Sequence, residues 1–211
     1  MKYFNQFVLL LMSVFCLTVS AQNKEIKLPA PQKEIGKPLM QVLNSRQSVR
    51  SFAPTPVSFQ DISNLLWAAF GINREDGKRT APSSRNIQDI DIYVFIPEGV
   101  FLYDAKGNKL VPISSEDLRG MTGTQDYVKS APLNLVYVSD QSKMGKASSE
   151  DKYITSGADA GFIAQNVYLY CASQNLGAVV RASVDKKPLF SKLNLKQDQI
   201  IVLTQTVGYK Q

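Results

Sequence analysis

Three short polar segments hold the residue types from which a binding or catalytic site could be built. The first is Ser45-Arg46-Gln47-Ser48-Val49-Arg50-Ser51-Phe52. Two guanidinium groups, several hydroxyls and free backbone N–H groups at a helix end suit a phosphate, because arginine forks pair bidentately with phosphate oxygens. A surface charge cluster has the same composition. The second segment is Lys78-Arg79-Thr80-Ala81-Pro82-Ser83-Ser84-Arg85-Asn86-Ile87-Gln88. Its hydroxyls and amides could hydrogen-bond the edge of a planar heterocycle, although as a fragment it is also an ordinary loop. In the third, Asn175-Leu176-Gly177-Ala178-Val179-Val180-Arg181-Ala182-Ser183, a glycine stop leads into a short β-rich run. Backbone groups at a helix end are offered there, and simple chain reversal accounts for the same residues.

The remaining composition narrows the chemistry. The chain has no histidine, which excludes Ser-His-Asp and Cys-His nucleophile pairs and removes the commonest ligand of transition metals. No spacing suggests a carboxylate-bound metal, and no side chain stands out as a general acid or base. Chemistry would then come from a bound organic cofactor. The net charge of +6 is mild and spread along the chain, so a nucleic-acid partner has little support.

The elements that must position these segments follow from patterning. Lys2, the apolar run Phe7 to Val19 and the small Ala21 have the layout of a secretory signal cut after Ala21. The run is shorter than the about 20 apolar residues of a membrane span, so export without stable membrane insertion is expected. Cys16 follows the bulky Phe15, which disfavours a lipid anchor. Cys171 would then be the only remaining cysteine, ruling out an intramolecular disulfide. Residues 22–37 mix charge and proline as an extended lead-in, and 38–211 form one domain. A short helix starts at Leu39 and ends near Arg46. Ser58 and Asp61 cap a second, with Ile62, Leu65, Leu66, Ala69 and Phe70 on one face and Gly71 closing it. The longest helix is expected over Ser156 to Gln174, with small residues (Gly157, Ala158, Ala160, Gly161, Ala164) crowding its start. Strands are expected at Ile90–Pro97, Leu133–Ser139 and Gln199–Val207, and a hairpin joins Val100–Tyr103 to Leu110–Ile113. The pattern is α+β, with a mostly antiparallel central sheet flanked by helices.

Taken in order, "SRQSVRSF", "SNLLWAAFGINREDGKRTAPSSRNIQ", "GADAGFIAQNVYLYCASQNLGAVVRASVD" and the closing "TVGYK" resemble the nitroreductase family of FMN-dependent oxidoreductases. Trp67 followed by Arg79, Thr80, Pro82 and Ser83 is similar to the family branch that includes peptide azoline oxidases. The resemblance implies that Arg46, Gln47, Ser48 and Arg50 bind the FMN phosphate and ribityl end. It implies that Ser83, Ser84 and Asn86 lie near the flavin ring, and that Val180, Arg181 and Ala182 pass its N5 side. It further implies an intertwined homodimer with FMN at the subunit interface. The reaction would pass hydride between flavin N5 and a small electron-poor acceptor, with no catalytic side chain named.

The sequence departs from the family pattern in three places. Basic residues beyond the terminal Gly-Tyr are reduced to Lys210, Gln47 stands where a basic residue is common, and Gly120 to Val128 is short, which suggests an open site. Export would also place NAD(P)H, the usual reductant, out of reach. Two alternatives to an acceptor-reducing enzyme therefore stand: an exported FMN-dependent dehydrogenase passing electrons to oxygen, and a non-catalytic flavin-binding module.

Overall fold

The computed structural model describes residues 24–211; the expected signal segment, 1–21, lies outside the described residues. Seven strands form one sheet: β1 (Ile26–Lys27), β2 (Ile90–Ile96), β3 (Gly99–Asp104), β4 (Lys109–Ser114), β5 (Leu133–Asp140), β6 (Leu176–Arg181) and β7 (Gln199–Tyr209). The order is β1-β4-β3-β2-β5-β7-β6 and every strand pairing is antiparallel. The α+β architecture with an antiparallel sheet is thus the one its patterning predicts. The turn between β3 and β4 closes on Asp104, whose Oδ1 accepts the Lys106 and Gly107 N–H groups at 2.9 and 3.2 Å.

The continuous apolar runs of β2 and β5 have a simple cause. Successive side chains point to opposite faces of a sheet, and both faces here are covered. Ile90, Ile92, Val94 and Ile96, with Leu133, Leu135 and Tyr137, enter one hydrophobic cluster. Tyr93, Phe95, Val136 and Val138 enter the other. The first cluster is closed by α2 (Phe59–Phe70) and α4 (Ser149–Ser173), and the second is closed partly by α5 (Lys186–Lys192).

Helix α2 begins where its sequence predicts: Ser58 Oγ accepts the Asp61 N–H at 3.0 Å, and Ile62, Leu65, Leu66, Ala69 and Phe70 are buried. Helix α4 starts earlier than expected, at Ser149 rather than Ser156. Ser148 Oγ accepts the Asp151 N–H at 3.1 Å, the same cap as in α2, ahead of two largely exposed turns. Helices α1 (Leu39–Ser45) and α3 (Tyr127–Ser130) are short.

The extended lead-in is fastened along its length. Leu28 is buried, Ser63 Oγ donates to the Pro29 carbonyl at 2.5 Å, Gln32 N–H to Asn64 Oδ1 at 2.7 Å, and Lys37 N–H to Ser173 Oγ at 3.0 Å. It therefore straps α2 and α4 together from outside. Among the described residues no helix is long and apolar enough to cross a membrane.

Candidate functional site

Arg46 to Arg50 leaves α1 in extended form and lies along β6. Arg46 caps α1 through its N–H to the Val42 carbonyl at 2.9 Å; Ser48 pairs with Ala178 in a parallel bridge, and Val49 N–H donates to the Ala178 carbonyl at 2.9 Å. This approach requires glycine at 177, since a Cβ there would lie 2.7 Å from Val49 Cγ1.

Tyr168, on the buried face of α4, anchors the segment from below. The Arg46 guanidinium lies 5.4 Å from its ring centroid, within cation–π range. Val180 N–H donates to Tyr168 Oη at 2.8 Å, and Ser48 Oγ lies 3.0 Å from the same oxygen. Either hydroxyl can be the donor in that contact; when Tyr168 donates, the Ser48 hydroxyl proton is free for an outside acceptor. Gln47, Ser48 and Arg50 are exposed.

The C-terminus closes this corner. Phe52 bridges Lys210, Ala53 N–H donates to the Tyr209 carbonyl at 2.9 Å, and Lys210 lines a small pocket with Ser45 and Gln47. Arg46, Arg50 and Lys210 make no ion pair with any described carboxylate. Arg46, Arg50 and Lys210, with the Ser48 hydroxyl and the Gln47 amide and no carboxylate in the segment, are donor types that fit a phosphate dianion.

The second segment is a strained loop. Arg85, Asn86 and Gln88 have φ values of 50°, 55° and 48° without being glycine, a conformation that persists only where surroundings enforce it. Gln88 is the hub: its N–H donates to Ser83 Oγ (3.0 Å) and its Nε2 to Asn86 Oδ1 (3.1 Å). Its Oε1 accepts from Arg79 Nε (2.8 Å) and its carbonyl from Lys143 Nζ (2.9 Å). Ser84 N–H donates to both oxygens of Asp159 on α4, at 3.1 and 3.3 Å. Ser84 and Asn86 remain exposed and Ser83 half-buried.

In the third segment Val180 is half-buried and Ala182 exposed, whereas Arg181 is only 6% exposed. The Arg181 guanidinium turns inward, to Thr206 Oγ1, to the Thr122 carbonyl at 3.2 Å and to Asn134 Oδ1 at 3.4 Å. This strand therefore offers a ligand its main chain and not the arginine head group. Burial without a carboxylate partner lowers the pKa of Arg181.

The first and third segments meet at Tyr168, and the second is tied to Asp159 nine residues earlier on the same helix, about 13 Å along its axis at 1.5 Å per residue. Tyr168 and Asp159 escape sequence reasoning because each occupies a core-face position in an apolar helix, where a polar residue reads as packing. Among the described residues no group of three or more His, Cys, Asp or Glu could hold a metal ion.

A profile of the Nitroreductase family matches residues 43–209, which takes in all three segments and the closing strand. A protein of Methanocaldococcus jannaschii bearing a nitroreductase name is 27% identical over 175 residues, 78% of this chain and 88% of its own. A crystal structure of a Ralstonia eutropha protein, likewise titled a nitroreductase, is 41% identical with a TM-score of 0.85, covering 92% of both chains. One from Anabaena variabilis shares the fold at 19% identity and a TM-score of 0.75, over 89% of this chain and 42% of its own. With the family profile spanning most of the chain and a 41% identical relative covering 92% of it, the chain belongs to the nitroreductase family.

Proposed function

We propose that the protein is an FMN-dependent oxidoreductase that exchanges two electrons with a small electron-poor molecule. The observation that carries this reading is the unpaired cationic corner of Arg46, Ser48, Arg50 and Lys210, on a fold of the nitroreductase family. When bound, FMN supplies hydride exchange at N5. The chain's own residues do the placing. Arg46 and Arg50 neutralise the phosphate, and Ser48 donates to it. The exposed Ser84 and Asn86 offer polar groups to the ring edge. The backbone of Val180 to Ala182 runs beside the ring, where main-chain dipoles and the buried Arg181 cation favour negative charge on a reduced cofactor.

The working unit in this reading is a homodimer. Tyr153, Ile154 and Phe162 are exposed on α4, and a Cβ added at Gly157 or Gly161 would meet nothing within 4 Å. Leu39 and Met40 on α1 are exposed as well. Apolar surface of this kind suits a second copy, and a cofactor beside α4 would sit at the contact. If residues 1–21 direct export, the electron donor is one available outside the cytoplasm rather than NAD(P)H.

The reading is tested by mixing purified protein with FMN and passing it through a desalting column. Retention near one flavin per chain supports it. A folded protein that emerges colourless refutes it.

A further inference from the structure

Behind the Ser83–Asn86 loop lie two buried carboxyl groups that make no ion pair among the described residues. Asp89 is 0% exposed and Asp159 2%. Asp89 Oδ2 accepts from Ser139 Oγ at 2.6 Å, and Ser139 Oγ lies 2.8 Å from Ser156 Oγ, but Asp89 Oδ1 has no donor among the described residues. The Asp159 carboxyl faces Asp89 and holds the Ser84 N–H. The nearby charged groups are Arg79 and Arg85 on the loop over 78–88, Asp91 in β2, Asp140 at the end of β5 and Lys143 just after it; Lys143 Nζ donates to the Gln88 carbonyl. Ser156 Oγ donates to the Lys152 carbonyl of α4 at 2.7 Å.

An acceptor buried without a donor is costly, and one proton on the neighbouring carboxyl removes the cost. We infer that Asp89 and Asp159 are a positioning pair in which a proton on Asp159 is donated to the orphaned Asp89 Oδ1, and that the pair, through the Ser84 N–H, sets the pose of the Ser83–Asn86 loop against the cofactor. Burial first, and then Asp89, raise Asp159 to about 6. As pH rises through that value the Asp159 proton leaves to solvent; the Asp159 anion repels Asp89 and accepts more strongly from the Ser84 N–H, so the carboxyl, and the loop tied to it, shift. The inference rests on the flavin reading only for what the loop faces.

Asp159→Asn tests it, because the amide can donate to Asp89 Oδ1 while its oxygen still accepts from Ser84. In flavin-free protein, the Ser84 amide resonance should move through one protonation near pH 6, and the transition should be lost in Asp159→Asn. Asp89→Asn, a second variant that supplies a donor to Asp159, should shift the midpoint downward. A group whose pKa is raised on folding contributes stability below its unfolded value that disappears as pH rises through the folded one. Wild type should therefore lose Tm relative to Asp159→Asn between pH 4 and 7. The FMN phosphate titrates in the same range, so the Kd ratio of wild type to Asp159→Asn is the informative quantity. It should change about tenfold between pH 5 and 7.5, the factor carried by one unit of linked shift.

A Ser84 resonance that is flat, or that titrates unchanged in Asp159→Asn, overturns the pair. A titrating Ser84 with a pH-independent Kd ratio overturns its positioning role. A titrating Ser84 in a protein that takes up no flavin supports the pair and refutes the flavin reading instead.

Discussion

Arg46 and Arg50 are the side chains on which cofactor selectivity should turn. Each is uncompensated by a carboxylate, and hydrogen bonds involving a charged group contribute about 1.5–3 kcal/mol. Arg46→Ala or Arg50→Ala should therefore weaken FMN binding roughly ten- to a hundredfold, while affinity for riboflavin, which lacks the phosphate, stays within a few-fold. Fluorescence titration with both ligands reads this directly. Equal losses for the two ligands would show that the arginines act on the fold and not on the phosphate. The Arg46-to-Arg50 segment stood out in the sequence because arginine and hydroxyl residues crowd a helix end there. What supports it did not. Tyr168 and Asp159 gain their roles only once α4 is laid under two loops distant in sequence. Arg181 is legible as a residue but not in direction, because alternation along β6 sends its guanidinium to Thr206 and Asn134.

At the scale of elements, α2 is legible because one cap, one apolar stripe and one glycine stop agree. The first two turns of α4 carry the same serine cap, but Ser149 to Tyr153 are polar or exposed and give no core stripe to read. The strap over residues 24–37 is hidden for a related reason, since its fastening is by hydrogen bonds to Asn64 and Ser173 rather than by a periodic apolar face. The junction between the phosphate segment and β6 makes a sharper prediction. Gly177→Ala would drive a methyl against Val49, an overpacking worth about 1–3 kcal/mol. It should lower Tm and weaken FMN binding together. Val49→Ala in the same chain should restore both, because it removes the atoms the new methyl meets. Loss of Tm without rescue by the second substitution would separate the junction from the site.

At the scale of the whole molecule, the two-sided core needs no partner, and the proposed dimer would cover the exposed Tyr153, Ile154 and Phe162 on the outer surface of α4. Phe162→Glu and Ile154→Glu place charges on exposed apolar positions, so the folded chain should survive with an unchanged Tm to within a few degrees. In size-exclusion chromatography with light scattering, wild type should elute as a dimer and the double variant as a monomer that no longer retains flavin. A monomeric wild type that binds FMN fully would remove the dimer from the account. Sheet class and helices α1, α2 and α4 were readable from patterning, whereas α3 and α5 were not, because neither, at four and seven residues, repeats an apolar side chain at helical spacing. The central claim remains the redox cofactor, and its most direct test is the visible absorption spectrum of the FMN-loaded protein through one reduction and reoxidation. The account predicts a bound-flavin spectrum that bleaches with a mild reductant and returns when an electron-poor acceptor or air is admitted. A bound flavin that stays oxidised under reductants able to bleach the free cofactor would contradict it.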